Sequence, residues 1–344
     1  MPAPRSLGLP YPFGVPMRAL LQPVYGEAHT LTMGDVPVPE PARGQVLVRV
    51  AAASVNAADV FLMRGVPRMV RPGHGLKRPA RRRLGLDLAG VVAGVGPGVI
   101  RWKPGDPVFG QGLATLADCA LAREHQLAPL PDAISPEHAA AVPVAGTTAL
   151  RAVDVARVAP GQRVVVTGAA GGVGQFTAQL AALRGAEVIA VCSGRNIERV
   201  RSLGIEHVLD YETTSPLDTP IPYDAVIDNA GAVRIRDWRR VVAPGGSILP
   251  NSGVPGPDGG ALMRVFKAQW YGLIASQRVR VFTGKVTAPA LTELGVLLAA
   301  QRISPLLDTI YPLEQAPQAL AAAGTHHARG KIVISISPLE RHAS

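Results

Sequence analysis

A short apolar run that leads directly into a glycine-rich turn constrains this chain more than any other feature. Residues 164–175 read Val-Val-Val-Thr-Gly-Ala-Ala-Gly-Gly-Val-Gly-Gln. Glycines at such a turn allow a tight reversal, a close approach of the backbone to a pyrophosphate, and packing of the first helical turn against the strand. The N–H groups and partial positive charge of a helix N-terminus also favour phosphate. We therefore predict a strand, a helix and, between them, a phosphate-binding turn formed by Gly168, Ala170, Gly171, Gly172, Val173 and Gly174.

The residues at the end of the next strand decide which dinucleotide is preferred. About 20 residues after the turn, an acid would accept a hydrogen bond from an unphosphorylated ribose and would repel a 2′-phosphate. The sequence there is Cys-Ser-Gly-Arg-Asn at 192–196, without an acid. The hydroxyl of Ser193 and the guanidinium of Arg195 suit a dianionic phosphate, so we predict NADPH as the cofactor. The alternative is that Arg195 is only a solvated residue before a helix.

Strands and helices alternate regularly after residue 162. Strands are predicted at 163–167, 188–191, 207–210, 225–228 and 247–249, and helices at 175–183 and 196–203. This order is typical of an α/β Rossmann fold with a doubly wound parallel sheet. A strand-rich part with Pro and Gly turns precedes it from Arg18. Two helices at 291–300 and 316–323 and a strand at 331–335 are predicted to return to that first part.

Cysteine content and hydropathy bear on the compartment. Only Cys119 and Cys192 are present, too few for a disulfide framework, which indicates a reducing cytoplasm. The uncharged run 164–183 contains four glycines and two glutamines, so we interpret it as a strand, a turn and a buried helix rather than a membrane span. Residues 1–16 are predicted to form a flexible N-terminal extension.

One segment of the chain is strongly basic. The formal net charge is +10, and eight basic residues without an acid lie between Arg64 and Arg83. Such a run can bind nucleic acid. This one lacks aromatic residues and is interrupted by three prolines, so a solvated surface loop is the preferred interpretation. The alternatives are steering of an anionic cofactor or substrate, and a cofactor-binding interaction protein that contacts nucleic acid.

Several short motifs stand in a recognisable order. They are Val-Asn-Ala-Ala-Asp at 55–59, Gly-Leu-Asp-Leu-Ala-Gly at 85–90, Lys-Pro-Gly-Asp-Pro-Val at 103–108 and Gly-Thr-Thr-Ala at 146–149. Together with the glycine turn, they resemble the quinone oxidoreductase branch of the medium-chain dehydrogenases, from Arg18 to about Ser337. The resemblance implies a GroES-like catalytic domain at 17–140 and 285–344, which surrounds an NADPH-binding Rossmann domain at 141–284.

The same resemblance bears on metal content. In the alcohol dehydrogenases of that superfamily, a catalytic zinc is held by a cysteine, a histidine followed by glutamate, and a second cysteine. By this resemblance, the positions of the zinc ligands are taken here by Asn56, by Leu86 with Asp87, and by Val144. Their side chains offer neither thiolate nor imidazole. No cysteine cluster for a structural zinc occurs in residues 98–120. We therefore expect catalysis without zinc.

The resemblance also assigns roles to single residues. Asn56 and Thr148 resemble the positions beside the nicotinamide, and Tyr211 resembles the tyrosine near the 2′-phosphate. Alternatively, Asn56 caps a helix, Thr148 is an ordinary residue of a helical first turn, and Tyr211 is a packing aromatic; Asp59 is interpreted as a helix cap. Further residues resemble the loops that close over the cofactor, namely Asn229, Ser252, Gly253, Gly330 and Lys331.

These assignments favour one reaction class. Without a metal electrophile, negative charge is best spread through conjugation, so hydride transfer to a quinone or an α,β-unsaturated carbonyl is preferred. The candidate catalytic residues are Asn56 and Tyr271, of which Tyr271 is the candidate proton donor. Alternatively, Tyr271 is an aromatic residue of the hydrophobic core. A dedicated enoyl reductase of a biosynthetic pathway is the alternative. An apolar edge strand at 279–282 leads us to expect a homodimer. We do not expect a membrane partner.

Overall fold

The computed structural model describes residues 13–66, 71–72, 74–80, 83–252, 256–325 and 329–338. The chain divides into two compact units. The first comprises Met1–Val144, Val286–Ala300 and Leu307–Ser344, and the second comprises Ala145–Lys285 and Gln301–Leu306. The return of 301–306 to the second unit differs from the sequence-based division. It has a physical reason, because the backbone N–H of Ser304 donates to the side chain of Gln179 at 2.8 Å.

The elements of both units are numbered along the chain. The strands are β1 (Pro16–Leu21), β2 (Thr32–Pro37), β3 (Gln45–Val55), β4 (Asp87–Val95), β5 (Pro107–Leu113), β6 (Cys119–Pro129), β7 (Arg163–Thr167), β8 (Glu187–Cys192), β9 (His207–Asp210), β10 (Tyr223–Asp228), β11 (Val242–Pro250), β12 (Arg278–Val279), β13 (Leu307–Pro312) and β14 (Lys331–Ser335). The helices are α1 (Ala57–Arg64), α2 (Pro136–Ala140), α3 (Pro143–Ala156), α4 (Gly172–Leu183), α5 (Ile197–Arg201), α6 (Ile235–Val241), α7 (Ala261–Ile274), α8 (Ala288–Ala299) and α9 (Ala316–Ala323).

The first unit is built on a six-stranded sheet in the order β13-β14-β3-β4-β5-β6. The long strand β3 also pairs with β6, so the sheet closes on itself around a core that includes Val48, Leu88 and Leu127. Gly90 allows β3 and β4 to approach, because a Cβ there would lie 2.0 Å from the carbonyl oxygen of Arg49. The strand-rich architecture predicted for this part is confirmed.

The second unit contains a parallel sheet in the order β12-β11-β10-β7-β8-β9. The chain builds outward from β7 through β8 and β9, then returns to the other side of β7 with β10. The strand order therefore reverses beside β7, and in open α/β sheets ligands bind at the carboxyl ends of the strands near such a reversal. The predicted doubly wound sheet is confirmed.

Two predicted elements are shorter in the structure than expected. The helix expected at 196–203 is α5, shortened because a 3₁₀ turn over Gly194–Asn196 precedes it. The edge strand expected at 279–282 is β12, which has two residues and pairs with Ser247 and Ile248 of β11. Within the described ranges, every helix is too short or too polar to reach across a lipid bilayer.

Candidate cofactor site and buried polar cluster

The glycine turn after β7 has the geometry that its sequence predicts. Gly168 adopts a φ of 62°, which glycine tolerates without strain. Gly171 donates from its N–H to the carbonyl oxygen of Gly168 at 2.8 Å, and α4 begins at Gly172. A Cβ on Gly174 would lie 2.1 Å from the same carbonyl oxygen. The helix N-terminus can therefore pack closely on the turn, as a pyrophosphate site requires.

The residues after β8 lie beside this turn. Ala169 donates from its N–H to the carbonyl oxygen of Val191 at 3.1 Å, which links the turn to the end of β8. Ser193 is buried, and its hydroxyl accepts a hydrogen bond from the Asn196 amide at 3.0 Å. Arg195 is exposed and, among the described residues, has no carboxylate within ion-pair distance. Its guanidinium is thus available to an anion.

The carboxylate of Asp210, which was not predicted from the sequence, also lies beside the loop after β8. A Cβ on Gly194 would lie 2.4 Å from the Asp210 carboxylate oxygen Oδ2, so this carboxylate flanks the Ser193–Arg195 loop. Burial, and then the charge of Asp210, raise the pKa of the Cys192 thiol to about 11. The parallel register between β8 and β9 pairs Cys192 with Asp210 and so brings the carboxylate here, and no local sequence signal records that register. Tyr211 follows directly, is exposed, and donates from its N–H to the Cys192 carbonyl oxygen at 3.1 Å.

Polar side chains also connect the ends of β7, β10 and β11. The Thr167 hydroxyl donates to Asp228 at 2.6 Å, and the Asn229 amide donates to the Thr167 carbonyl oxygen at 3.2 Å. Asn251 donates to the Asn229 side-chain oxygen at 2.7 Å, which holds the loop after β11 against the loop after β10. Ser252 is buried next to this contact in the chain. The predicted cofactor residue Gly253 lies outside the described residues.

Two further predicted residues of the second unit have clear positions. Thr148 lies on α3, half-buried, and a Cβ on Gly284 would lie 2.7 Å from its hydroxyl oxygen. Tyr271 lies on α7, half-buried, with the Arg239 guanidinium 4.9 Å from the ring centroid. Both side chains are therefore partly accessible in the unit that carries the glycine turn.

The predicted residues of the first unit form a buried hydrogen-bonded cluster. Asn56 follows β3 and is 9% exposed. Its amide nitrogen donates to Asp87 Oδ2 at 2.9 Å, and its side-chain oxygen accepts from Lys331 Nζ at 2.6 Å. The Lys331 ammonium also donates to the Val55 carbonyl oxygen at 3.2 Å. Both polar atoms of the Asn56 amide are engaged, so its orientation is fixed. Gly330, the other predicted residue here, immediately precedes β14.

Two carboxyl groups share this cluster with one ammonium group. Asp59 completes a capping box on α1 by accepting from the Asn56 N–H at 2.8 Å, as the cap interpretation predicts. Its second oxygen has no hydrogen-bond partner among the described residues. Burial is the main cause that raises the pKa of Asp59 to about 7. Burial also raises the pKa of Asp87 and lowers that of Lys331, whose Nζ lies 3.7 Å from Asp87.

The cluster does not offer a set of zinc ligands. Asp87 accepts from the Ser54 hydroxyl at 3.1 Å and from the Val144 N–H at 3.1 Å, in addition to Asn56. The Asn56 oxygen already faces a cation. Within the described part of the chain, no group of three or more His, Cys, Asp or Glu side chains could hold a metal ion. Hydrogen bonds therefore occupy the side-chain oxygens of Asp87 and Asn56.

Comparison with known proteins agrees with this architecture. A model described as the alcohol dehydrogenase GroES-like domain matches residues 42–132, and one described as a zinc-binding dehydrogenase matches 203–334. The chain is 32% identical over 337 residues to the chloroplastic quinone oxidoreductase QR1 of Triphysaria versicolor, covering 92% of this chain and 98% of that protein. The chain belongs to the medium-chain dehydrogenase/reductase superfamily, in its quinone oxidoreductase-like branch.

Two further similarities describe this medium-chain oxidoreductase. The structure of the quinone oxidoreductase from Coxiella burnetii superposes with a TM-score of 0.81 at 28% identity, covering 93% of this chain and 99% of that one. The spectinabilin polyketide synthase system protein NorB of Streptomyces orinoci is 32% identical over 320 residues, which are 88% of this chain and 14% of NorB. Membership of the superfamily implies a nicotinamide cofactor.

The basic segment packs partly against its own unit. Arg64 pairs with Glu27 at 2.9 Å, and the Arg71 guanidinium lies 4.7 Å from the centroid of the Tyr25 ring. Arg71 also donates to the carbonyl oxygen of Gly65 at 2.9 Å. Residues 67–70, 73 and 81–82 of the segment lie outside the described residues. In the described part of the segment, Arg64 and Arg71 therefore contact neighbouring residues of the first unit.

Proposed function

We propose that this chain is a zinc-independent, NADPH-dependent reductase that transfers hydride to a quinone or to an α,β-unsaturated carbonyl. The observation that carries the choice of NADPH is the position of Arg195. Its exposed guanidinium follows β8 beside the glycine turn and has no carboxylate partner among the described residues. Ser193 belongs to the same loop, and Tyr211 donates from its N–H to Cys192, the residue before that loop. A 2′-phosphate suits hydroxyl groups and a guanidinium, against which the carboxylate of Asp210 is the opposing charge.

When bound, the nicotinamide supplies the hydride. The chain's own residues orient the ring and the substrate. Thr167, Asn229 and Asn251 hold the loops after β7, β10 and β11 in one arrangement. Lys331 and Asp87 fix the Asn56 amide, which presents its remaining N–H in a set direction. Preorganised donors of this kind stabilise developing negative charge without reorganisation during the reaction.

Conjugated substrates suit a site with this chemistry. A simple ketone concentrates negative charge on one oxygen, whereas a quinone or an enone spreads it over several atoms. The buried cluster offers an amide N–H rather than a metal ion to such an oxygen. We propose the Tyr271 hydroxyl as the proton donor to the product anion, because the side chain is half-buried in the second unit. Thr148, Ser252, Gly253 and Gly330 remain proposed cofactor contacts.

The second candidate function is a dedicated enoyl reductase of a biosynthetic pathway. The similarity to NorB, a polyketide synthase system protein, favours it. We also propose a homodimer that uses the sheet edge at β12, and a cytoplasmic location, which two buried free cysteines support. Neither proposal affects the chemistry of the site.

A substrate panel read by NADPH absorbance tests the proposal. We expect turnover with 1,4-benzoquinone or with a simple enone, and little with the matching saturated ketone. Activity should persist in a metal chelator, and elemental analysis should find no stoichiometric zinc, because the cluster lacks ligands for it. One equivalent of zinc that is lost together with activity would refute zinc independence. Turnover of the saturated ketone alone would refute the substrate class.

A further inference from the structure

The second unit contains a cavity that the cofactor site leaves unexplained. Its volume is about 600 Å³. Arg234 and Arg236 line it from the loop after β10 and the first turn of α6, and Pro257 and Asp258 line it from the loop after β11. The glycine turn follows β7, the strand next to β10. The cavity therefore lies at the carboxyl edge of the same sheet, where ligands of α/β proteins bind.

One wall of the cavity is aromatic and faces solvent. Phe266 and Trp270 lie one helical turn apart on α7 and are 63% and 56% exposed. Tyr271, the proposed proton donor, lines the same cavity. Large apolar side chains are seldom grouped on the surface of a monomeric protein unless a ligand or a partner covers them. Two rings on one helical face suit a flat, apolar molecule.

The other wall is positively charged. Arg234, Arg236 and Lys267 line the cavity, against a single carboxylate, Asp258. Asp258 is buried and already accepts from the Ile235 N–H at 2.7 Å and from Lys267 at 3.1 Å. Among the described residues, Arg234 has no carboxylate within ion-pair distance. Arg236 lies 3.6 Å from Asp237, so Arg234 is the cation that presents uncompensated charge beside the aromatic wall.

We infer that this cavity binds a planar conjugated molecule that carries an anionic group. The rings of Phe266 and Trp270 contact its face, and Arg234 with Arg236 bind its anionic end. That this molecule is the substrate to be reduced rests on the proposed function. Its binding in the cavity does not. A second copy of the chain is less suited to this surface, because it would bring equally basic residues against these arginines.

Calorimetric titration with two molecules of matched shape tests the binding. Naphthalene-2-sulfonate is anionic, naphthalene-2-sulfonamide is neutral, and neither can be reduced by hydride. We expect the wild-type protein to bind the sulfonate at least about tenfold more tightly at low salt, since a charge-assisted contact contributes that much. The double variant Arg234→Gln/Arg236→Gln should lose this preference. Trp270→Ala should weaken both ligands, and Arg201→Gln, at an exposed arginine outside both the cavity and the proposed dimer edge, should change neither.

Kinetics with 1,4-naphthoquinone and its 2-sulfonate separate the two proposals. We expect the double variant to raise KM for the sulfonate selectively, with the neutral quinone unaffected. Preferential sulfonate binding without consumption of NADPH by either quinone would leave the cavity assignment intact and refute the proposed function. Equal binding of sulfonate and sulfonamide would overturn the cavity assignment, whatever the turnover. Light scattering that shows Trp270→Ala converting a dimer to a monomer would also overturn it in favour of a second copy.

Discussion

The ammonium group of Lys331 donates a 2.6 Å hydrogen bond to the side-chain oxygen of Asn56, 275 residues earlier in the chain. The Asn56 nitrogen in turn donates to Asp87, so the amide cannot rotate without breaking both bonds. Lys331 therefore acts on Asn56 as a positioning residue. It also provides the positive charge that faces Asp59 and Asp87 in a region closed to solvent.

Replacement of this lysine should lower stability strongly. Lys331→Met leaves two buried carboxyl groups without a cation, and removing one partner of a buried ion pair costs about 3–5 kcal/mol. Urea denaturation at neutral pH measures the loss. Adding Asp87→Asn to Lys331→Met should recover part of the stability without restoring kcat, because Asn56 stays unoriented. Recovery of both would show that Lys331 has only a structural role.

The buried Asp59 should make stability depend on pH. Its pKa is raised from 3.8 to about 7, so the folded state binds a proton that the unfolded state releases between these values. Stability from this group is therefore complete below about pH 4 and decreases as the pH rises towards about 7. The slope cannot exceed about 1.4 kcal/mol per pH unit for one proton. Asp59→Asn should remove this slope, and identical unfolding curves for both proteins from pH 5 to 7 would contradict it.

The exposed Arg195 should discriminate between the two dinucleotides. A charge-assisted contact with the 2′-phosphate contributes roughly 1.5–3 kcal/mol, so Arg195→Ala should lower kcat/KM for NADPH about tenfold or more. The value for NADH should hardly change, and Ser193→Asp should shift preference towards NADH. Arg201→Ala, a nearby exposed arginine paired with Glu198, is the matched control. An equal loss with both cofactors would mean that Arg195 only positions its loop.

The carboxylate of Asp210, beside Gly194, should counteract the effect of Arg195 on cofactor preference. Asp210 brings a carboxylate to the Ser193–Arg195 loop, where it repels a 2′-phosphate. Asp210→Asn keeps the shape and removes the charge, so kcat/KM for NADPH should rise a few-fold while that for NADH stays level or falls. The pKa of the Cys192 thiol should fall in the same variant, which thiol alkylation rates measure. A decrease in NADPH use would show that Asp210 supports the loop rather than repelling the phosphate.

Features encoded locally could be predicted from sequence. The bounds of β7 match the prediction, and the glycine turn follows it as expected, because strand periodicity and turn chemistry reside in adjacent residues. The cap role of Asp59 was visible for the same reason, since it depends on a residue three positions earlier.

Features that depend on pairing between distant segments could not be predicted in this way. The approach of Asp210 to Gly194 depends on the register between β8 and β9, and no local pattern records it. The resemblance indicates Lys331 as a cofactor residue, but its hydrogen bond to Asn56 joins segments 275 residues apart and is not recorded in any local pattern. The edge strand was predicted too long because an apolar run does not show how many residues find a partner on β11.

The late position of β14 in the chain has a consequence for folding during synthesis. Strand β14 pairs with β3 and carries Lys331, yet the whole second unit, including 301–306, is translated between these two strands. A growing polypeptide can therefore complete the parallel sheet of the second unit before Lys331, whose ammonium group faces Asp59 and Asp87, has been added to the chain. Domains usually fold in order from the N-terminus during synthesis, whereas here the first unit cannot be completed until the second has been synthesised. A chain truncated before β14 lacks the strand that pairs with β3 and the ammonium group that faces Asp87, so we expect its first unit to be more sensitive to proteolysis than that of the full chain.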